Sequence, residues 1–499
     1  MKNLTWQNPE QLFVAQVLIN KVKSKCCGIK VNYKYIFLSA ALCALTASCS
    51  ESLLDLSPET NNVLNNYYKN EEQINKGVNA AYACLQYSGQ YGIANHVLGE
   101  LPSDNTWDEV PANDGGNYGQ LDEFNMTSSN TIIADSWKHN YIGIQQCNII
   151  LNRVDGVDMT ENNRSVVKGE IKFLRALMYF NLVRIFGDVP LVTKETENVN
   201  DYFGQGRTNK SEVYQQIISD LKEATEMLPL TASLQGHATK GAAEGLLGKV
   251  YLTMGNYSEA KIELLKVVNS GQYALLDDPN DIFDTENEGN REIIFDVQYQ
   301  SGLNGNSEGS NAFMMFSPSG SVSGAKGHNL PTREVYNLFA DNDKRKTAYF
   351  RLTEVHVATN KLKQTSNVVK DSGSNVVVLR YADVLLMLAE CYAQTGDIEA
   401  ALTCLNDVKS RAGIDEVEIS DSNALLDEIA LERRKELVCE GHRWFDLIRT
   451  GKAIEVMKAH FANTTGYNGV SLNENNLVQP VPLSQIDTDS SIKQNKGYI

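Results

Sequence analysis

The residues of this chain whose types and spacing best suit chemistry lie in a polar segment around a tryptophan. The sequence DNTWDE places Trp107 beside Asp104, Asn105 and Asp108, and Tyr118 follows a few residues later. An exposed aromatic ring flanked by carboxylates and amides suits a sugar, because the ring covers apolar C–H faces while the polar groups pair with hydroxyls. Burial of Trp107 in the core is the alternative, since tryptophan is well buried on average.

Two segments share this composition, residues 100–126 and 300–328. Both are rich in Gly, Ser, Asn and Asp with aromatic residues among them, and long loops of this kind often carry function. We expect Tyr299, Phe313 and Phe316 to complete an aromatic surface opposite Trp107. The apolar run FMMF that begins at Phe313 fits a protein interface equally well, because an apolar cluster in a polar loop tends to be covered.

Two patterns are similar to catalytic motifs, but both have a more ordinary interpretation. The segment ERRKELVCEGHRWFDLIR gathers carboxylates around His442. Its charges alternate at i+3 spacing through Glu440, Arg443, Asp446 and Arg449. On a single helix this spacing forms a ladder of supporting ion pairs. The sequence GNSEG matches a nucleophile elbow, but that motif needs a helix after the serine, and more Gly and Ser follow here. We therefore predict no catalytic residue.

No metal or cofactor site is predicted either. The seven histidines show no H-E-x-x-H or other close pairing, which argues against zinc. Carboxylate oxygens that calcium prefers occur at Asp277, Asp278, Asp281 and Asp284. These residues lack the EF-hand order and its glycine, so we favour a solvated acidic turn, and calcium binding stays unsupported.

The cysteines of the mature chain do not form a recognisable framework. They are Cys84, Cys147, Cys391, Cys404 and Cys439. Their number is odd and they lack C-x-x-C spacing, so we interpret them as buried thiols rather than as disulfides or metal ligands.

The elements that must position the polar segments are mainly helical, because a tetratricopeptide-like spacing occurs twice. In the first copy it runs through Leu247, Gly248, Tyr251, Gly255, Ala260, Leu264 and Val267. In the second copy it runs through Leu388, Ala389, Tyr392, Gly396, Ala401, Leu405 and Val408. The small residues let paired helices approach closely, and Gly255 and Gly396 turn the chain between them.

The predicted fold is mostly α, with helix pairs as a scaffold, an irregular loop-rich lobe that binds ligand, and minor β-structure. The TPR-like units are expected near residues 165–230, 238–270 and 379–412 within one domain of residues 49–499. The short apolar runs REIIFDVQY and NVVVL are predicted strands.

Residues 1–48 are predicted to be a signal peptide. An apolar stretch from Ile36 to Ala47 follows several lysines and is too short to span a bilayer as a helix. It ends in T-A-S-C, so Cys49 is the expected site of lipidation, and ordinary secretory cleavage near Ala47 is the alternative. The segment before the stretch is longer than a usual n-region, which a mis-assigned start codon would explain.

The net charge of −17 argues against a nucleic-acid partner, because it repels phosphate backbones at long range. The first 48 residues hold six lysines and a single glutamate, so the mature chain is more acidic still.

Blocks of sequence in a fixed order resemble the SusD/RagB family of Bacteroidetes lipoproteins. They include CSESLLDLSPE, EIKFLRALMYFNLVRIFGDVPLV, LRYADVLLMLAECYAQTGDIEAALTCLNDV and ERRKELVCEGHRWFDLIRTGK. The resemblance implies a lipid-anchored, surface-exposed outer-membrane protein. It also implies a non-enzymatic partner of a SusC-type TonB-dependent transporter, to which the protein delivers oligosaccharides. The alternatives are peptide capture by the same fold and a surface glycoside hydrolase.

Overall fold

The protein is built mainly from α-helices. The computed structural model describes residues 67–198, 200–467 and 469–499, so the predictions for the leader 1–48 and for Cys49 lie outside the described residues. The helices of the first half are α1 (Glu71–Ala83), α2 (Ala94–Glu100), α3 (Asn117–Asp122), α4 (Thr131–Arg153), α5 (Glu161–Phe186) and α6 (Lys210–Met227).

The second half adds two long helix pairs and several short helices. Its helices are α7 (Lys240–Thr253), α8 (Tyr257–Asn269), α9 (Ala312–Met315), α10 (Arg333–Asn337), α11 (Arg345–Ala348), α12 (Tyr381–Gln394), α13 (Ile398–Arg411), α14 (Ser422–Glu436), α15 (Arg443–Arg449), α16 (Ala453–Asn463) and α17 (Leu483–Thr488). Helix α5 packs on α6, α7 on α8, and α12 on α13. The mostly helical fold with TPR-like pairs is therefore confirmed.

Close helix approach in these pairs depends on the small residues of the repeat. A Cβ atom at Gly248 would lie 2.6 Å from Cδ2 of Leu264 on the partner helix, so only glycine fits without movement. Gly255 and Gly396 have positive φ angles of 76° and 85°, which a residue with a side chain adopts only with strain. The helix that follows Gly396 begins where the carboxylate of Asp397 accepts a hydrogen bond from the backbone N–H of residue 400.

Strands among the described residues form three short antiparallel pairs. They are β1 (Thr106–Trp107) with β3 (Leu330–Pro331), β2 (Ile293–Val297) with β6 (Val376–Arg380), and β4 (Phe350–Leu352) with β5 (Val357–Thr359). The two predicted strands pair with each other as β2 and β6. Minor β-structure is thus confirmed.

A buried network of charges ties the later helices together. The carboxylate of Glu436 accepts hydrogen bonds from the guanidinium groups of Arg345, Arg380 and Arg411 and, at 2.9 Å, from Tyr349 Oη. Burial raises the pKa of Glu436, but the three arginines outweigh it and hold that pKa well below its usual value. An ion cluster of this kind fixes the relative placement of α14, β6 and α13.

The prediction of one continuous helix over ERRKELVCEGHRWFDLIR is wrong. Helix α14 ends at Glu436 and α15 begins at Arg443. Between them, positive φ angles of 64° at Cys439 and 79° at Gly441 turn the chain. The buried carboxylate of Glu100 holds this turn, because it accepts hydrogen bonds from the backbone N–H groups of Cys439 (2.9 Å) and Gly441 (3.1 Å).

The predicted ion-pair ladder is consequently wrong in two of its three steps. Only Asp446 and Arg449 pair, at 2.7 Å. Glu440 precedes the helix and pairs instead with Arg380 at 2.8 Å, and Arg443 reaches back to the polar segment around the tryptophan. The turn destroys the helical spacing on which the ladder depended. All four charges nevertheless take part in ion pairs, as a structural role requires.

The prediction of unpaired thiols is confirmed. Cys84, Cys147, Cys391 and Cys439 are buried free cysteines, and Cys404 is a half-buried one. Burial raises the pKa of these thiols, to about 11 for Cys84, which keeps them protonated and unreactive at neutral pH.

Candidate functional site

Trp107 lies in the wall of an open cleft of about 340 Å³. Strand β1 fixes its position, since Thr106 pairs with Pro331 and Trp107 with Leu330. The indole ring is half-buried and meets the ring of His356 edge to face, with 5.0 Å between centroids. One part of the ring is therefore used for packing, and the rest faces the cleft.

The hairpin of β4 and β5 forms another wall of the cleft. Its tip carries Val355, which is 63% exposed, and His356. The turn is closed by the Thr353 hydroxyl, which donates a hydrogen bond to the His356 carbonyl at 2.8 Å. Apolar surface at the tip therefore stands exposed beside the tryptophan.

A second aromatic side chain of the cleft is Tyr467, which was not among the predicted site residues. Its hydroxyl donates a hydrogen bond to Asp122 Oδ1 at 2.7 Å. Burial raises the pKa of Asp122 to about 7. Tyr467 lies in the segment NTTGYNG, whose Gly- and Asn-rich composition is the same feature that drew attention to Trp107. Applied to the whole chain, that criterion would have found it.

Polar groups line the same cleft as these two aromatic residues. The polar and charged side chains of the cleft include Arg333, Glu334, His356, His460, Thr464 and Thr465. Arg333 and Glu334 are exposed, and Glu334 Oε2 lies 3.2 Å from Nδ1 of His460. Aromatic surfaces flanked by hydrogen-bond donors and acceptors are the arrangement expected of a site for a polyhydroxylated ligand.

Asp104 and Asn105, two predicted ligand contacts, are instead buried supports. Asp104 pairs with Arg443 at 2.8 Å and with Arg434 at 3.0 Å. Asn105 Oδ1 accepts a hydrogen bond from Arg434 Nε at 2.8 Å, and its amide donates to Glu100 Oε1 at 2.8 Å. Burial raises the pKa of Asp104, but the two arginines bring it below its usual value. Direct ligand contact does not fit this burial.

Tyr118 is also buried, in a contact that joins the two polar segments. Its ring stacks on His328 with 3.7 Å between centroids and an angle of 5°. His328 Nδ1 lies 2.8 Å from Asp108 Oδ1, and Nε2 lies 2.8 Å from Asp114 Oδ2. The structure therefore brings the two segments together, but Tyr118 does not line the cleft.

Tyr299 and Phe313 do not line the Trp107 cleft. Tyr299 is 7% exposed and borders a separate cavity of about 550 Å³ together with Gln86 and Gln298. Phe313 is half-buried under the guanidinium of Arg351, 5.4 Å from the ring centroid. Phe316, the third aromatic residue expected opposite Trp107, is also buried, at 2% exposure. Tyr467, rather than any of these residues, is the aromatic side chain that lines the cleft together with Trp107.

The catalytic and metal patterns take ordinary structural positions. Ser307 lies among turns rather than between a strand and a helix, and its hydroxyl donates to the Asn304 carbonyl at 2.9 Å. Asp278 and Asp284 accept hydrogen bonds from backbone N–H groups of their own turns. Across residues 67–198, 200–467 and 469–499, no group of three or more His, Cys, Asp or Glu residues is arranged to hold a metal ion. Nor does any helix in those ranges have the length and apolarity to cross a membrane.

Comparisons with known proteins agree with one another. A model of the SusD family matches residues 347–498, and a model described as starch-binding and associating with the outer membrane matches residues 52–252. A tetratricopeptide-repeat model matches residues 245–270. A SusD-like protein of Formosa agariphila is 25% identical over 94% of this chain and 99% of its own length.

Solved structures give the same result. A laminarin-binding SusD-like protein is 28% identical, with a TM-score of 0.74 over 86% of this chain and 100% of that one. A SusD superfamily protein from Parabacteroides distasonis is 26% identical, with a TM-score of 0.75 over 86% of this chain and 99% of that one.

Proposed function

Because the chain belongs to the SusD/RagB family, we propose that it is a non-catalytic lipoprotein that captures oligosaccharides in the Trp107 cleft. The observation that carries this proposal is that two aromatic side chains, Trp107 and Tyr467, line one open cleft together with hydrogen-bonding groups. Sugar rings bury their C–H faces on aromatic rings and pair their hydroxyls with such groups.

Oligosaccharide is the ligand class we favour over peptide. A related protein, 28% identical, binds laminarin, which is a glucan. The cleft also combines ring faces with short polar side chains such as Thr464 and His356, which suits hydroxyl groups. An extended peptide would instead be held through its backbone by a free strand edge or by a row of amides.

A purely binding role fits the small number of carboxylates in the cleft. Among the described residues that line it, Glu334 is the single carboxylate. Its oxygens lie near Arg434 (3.3 Å) and His460 (3.2 Å). Glycoside hydrolysis ordinarily requires two carboxyl groups that flank the scissile bond, one as acid and one as base or nucleophile.

The remaining parts of the proposal concern location and partner. Cys49 would carry the lipid that tethers the protein to the outer membrane, facing outward, and a SusC-type TonB-dependent transporter would receive the bound sugar. Support comes from the family description, which names association with the outer membrane, and from the lysine-rich leader that precedes Cys49.

The function is tested by screening the purified protein, without its leader, on glycan and peptide panels, with a matched Trp107→Ala variant. Binding to one class of neutral oligosaccharide, weakened by the substitution, is the expected outcome. Binding to peptides alone would overturn the ligand class. Release of shortened sugar from a labelled polysaccharide would overturn the non-catalytic assignment.

A further inference from the structure

A small, partly open cavity lies between α2, α5, β6 and the turn before α15, and it shares no lining residue with the Trp107 cleft. The polar and charged side chains in its wall include Asn95, His96, Arg184, Lys249, Glu440 and His442. The space in this cavity that is open to water-sized groups is about 40 Å³. That is room for roughly three waters, or for one small ion and a water.

Two of these polar side chains are buried, and each leaves one polar atom without a hydrogen-bond partner among the described residues. Asn95 and His96 are 8% and 6% exposed, yet Asn95 Nδ2 and His96 Nε2 make no hydrogen bond to the described part of the chain. Buried polar atoms are almost always paired, because an unpaired one has lost its water without replacement. Something that accepts a hydrogen bond from the Asn95 amide is therefore expected in the cavity.

Arg184 supplies a further positive charge in the same wall. Its guanidinium lies between the rings of Phe180 (4.0 Å to the centroid) and Phe445 (4.3 Å). Its hydrogen bonds go to neutral oxygens, Asn181 Oδ1 at 2.7 Å and the Phe180 carbonyl at 3.2 Å. No carboxylate among the described residues forms an ion pair with Arg184, which is half-buried, whereas the buried Arg380 is paired. A guanidinium in these surroundings lacks its anion.

The other charges of the wall already have partners. Lys249 Nζ donates to Asp383 at 2.8 Å and lies 3.2 Å from His442 Nδ1. Glu440, the carboxylate of the wall, accepts hydrogen bonds from Lys361 and Arg380. Burial lowers the pKa of His442 to about 3, so this ring is neutral and adds no compensating charge. The unpaired charge that remains in the wall is that of Arg184.

We propose that this cavity binds one small monovalent anion, of the size of chloride or acetate. Arg184 and the amide of Asn95 hold the anion, and the remaining space takes a water that pairs with His96 Nε2. The rings of Phe180 and Phe445 shield the ion pair from solvent, which strengthens it. The small volume of the cavity favours an anion of this size over a larger one.

Crystals grown in sodium bromide test the proposal directly, because bromide gives an anomalous signal that water does not. A peak within hydrogen-bonding distance of Arg184 and Asn95 is expected in the unsubstituted protein and in Arg351→Met. Arg351 is the matched control, since it also lies over a phenylalanine ring and has no carboxylate partner in the part of the chain that the structure describes. The peak should be absent from Arg184→Met. Water alone in the cavity, or a peak that persists in Arg184→Met, would overturn the proposal.

Thermal unfolding gives a second measurement that needs no crystal. Replacing gluconate by chloride at constant ionic strength should raise the Tm of the unsubstituted protein and of Arg351→Met, by roughly 1–2 °C for each tenfold excess over the dissociation constant. Asn95→Leu should lose most of this rise, and it keeps the test available if Arg184→Met fails to fold. Equal rises in all variants would contradict an anion site here.

Discussion

Replacing Trp107 by alanine should weaken oligosaccharide binding about thirtyfold. The indole is half-buried against His356, so roughly half of the 150–250 Å² that a large aromatic side chain buries remains for a ligand. At about 25 cal/mol per Å² of apolar surface, that area corresponds to about 2 kcal/mol of binding free energy. A loss of about 2 kcal/mol raises the dissociation constant about thirtyfold.

The same substitution should leave the fold intact. The backbone of β1 is held by main-chain bonds that alanine preserves, including the one from the Thr332 N–H to the Asn105 carbonyl at 2.8 Å. The lost packing should lower the free energy of unfolding by about 2 kcal/mol, near half of what a core aromatic contributes. A cooperative thermal transition should therefore persist at a modestly lower temperature.

Isothermal titration calorimetry with the oligosaccharide found on the glycan panel measures the effect. Trp107→Phe, which keeps a smaller ring, should fall between the native protein and Trp107→Ala. Phe203→Ala is the control, because Phe203 is 60% exposed and lies outside the cleft. An unchanged dissociation constant in folded Trp107→Ala, or an equal loss in Phe203→Ala, would refute the reasoning.

Three further substitutions test the supports of the cleft and the scaffold. Glu100→Ala leaves buried backbone N–H groups of the turn before α15 unpaired, so urea denaturation should show the free energy of unfolding reduced by about 3 kcal/mol or more. Glu100→Gln should reduce it by less. A reduction under about 1 kcal/mol in Glu100→Ala would show that the carboxylate does not hold the turn. Burial raises the pKa of Asp122 to about 7, so its contribution to stability is fully present below about pH 4, is lost as the pH rises through 7, and then levels off. When the Tm is measured as a function of pH, Asp122→Asn should flatten that decline. An unchanged pH profile would show that a group other than Asp122 causes it. Gly248→Ala sets a Cβ atom 2.6 Å from the Leu264 side chain and should lower the free energy of unfolding by about 1–3 kcal/mol. The control is Gly156→Ala, whose Cβ would have nothing within 4 Å, and it should change that free energy by less than about 0.5 kcal/mol. Equal effects of the two substitutions in denaturant titrations would contradict tight packing at Gly248.

The helical scaffold could be predicted because its determinants are local. The spacing from Leu247 to Val267 repeats from Leu388 to Val408, and all four of these residues are at most 1% exposed. Helix periodicity and turn glycines act within a few residues of one another, so one sequence is enough to detect them. The two strands were predictable for the same reason, as short apolar runs.

The turn between α14 and α15 could not be predicted, because its cause is distant in the chain. Glu100 holds it from more than 300 residues away, and nothing in the local sequence indicates that partner. Local charge spacing therefore pointed to a helical ladder, whereas long-range hydrogen bonds to Glu100 hold the turn that interrupts it.

The cleft was predictable in part. The composition around Trp107 indicated an aromatic residue in a polar loop, and the structure places it at a cleft wall. Composition does not distinguish a polar side chain that is free to bind a ligand from one that already has a hydrogen-bond partner in the protein. Asp104 and Asn105 belong to the second kind, since both accept hydrogen bonds from arginines of the C-terminal region.

A crystal structure of the protein with its selected oligosaccharide tests the central claim most directly. We expect a sugar ring against the free part of the Trp107 indole, with hydroxyl groups within hydrogen-bonding distance of the polar side chains that line the cleft. Sugar bound at another surface, with the Trp107 cleft holding only solvent, would contradict the account.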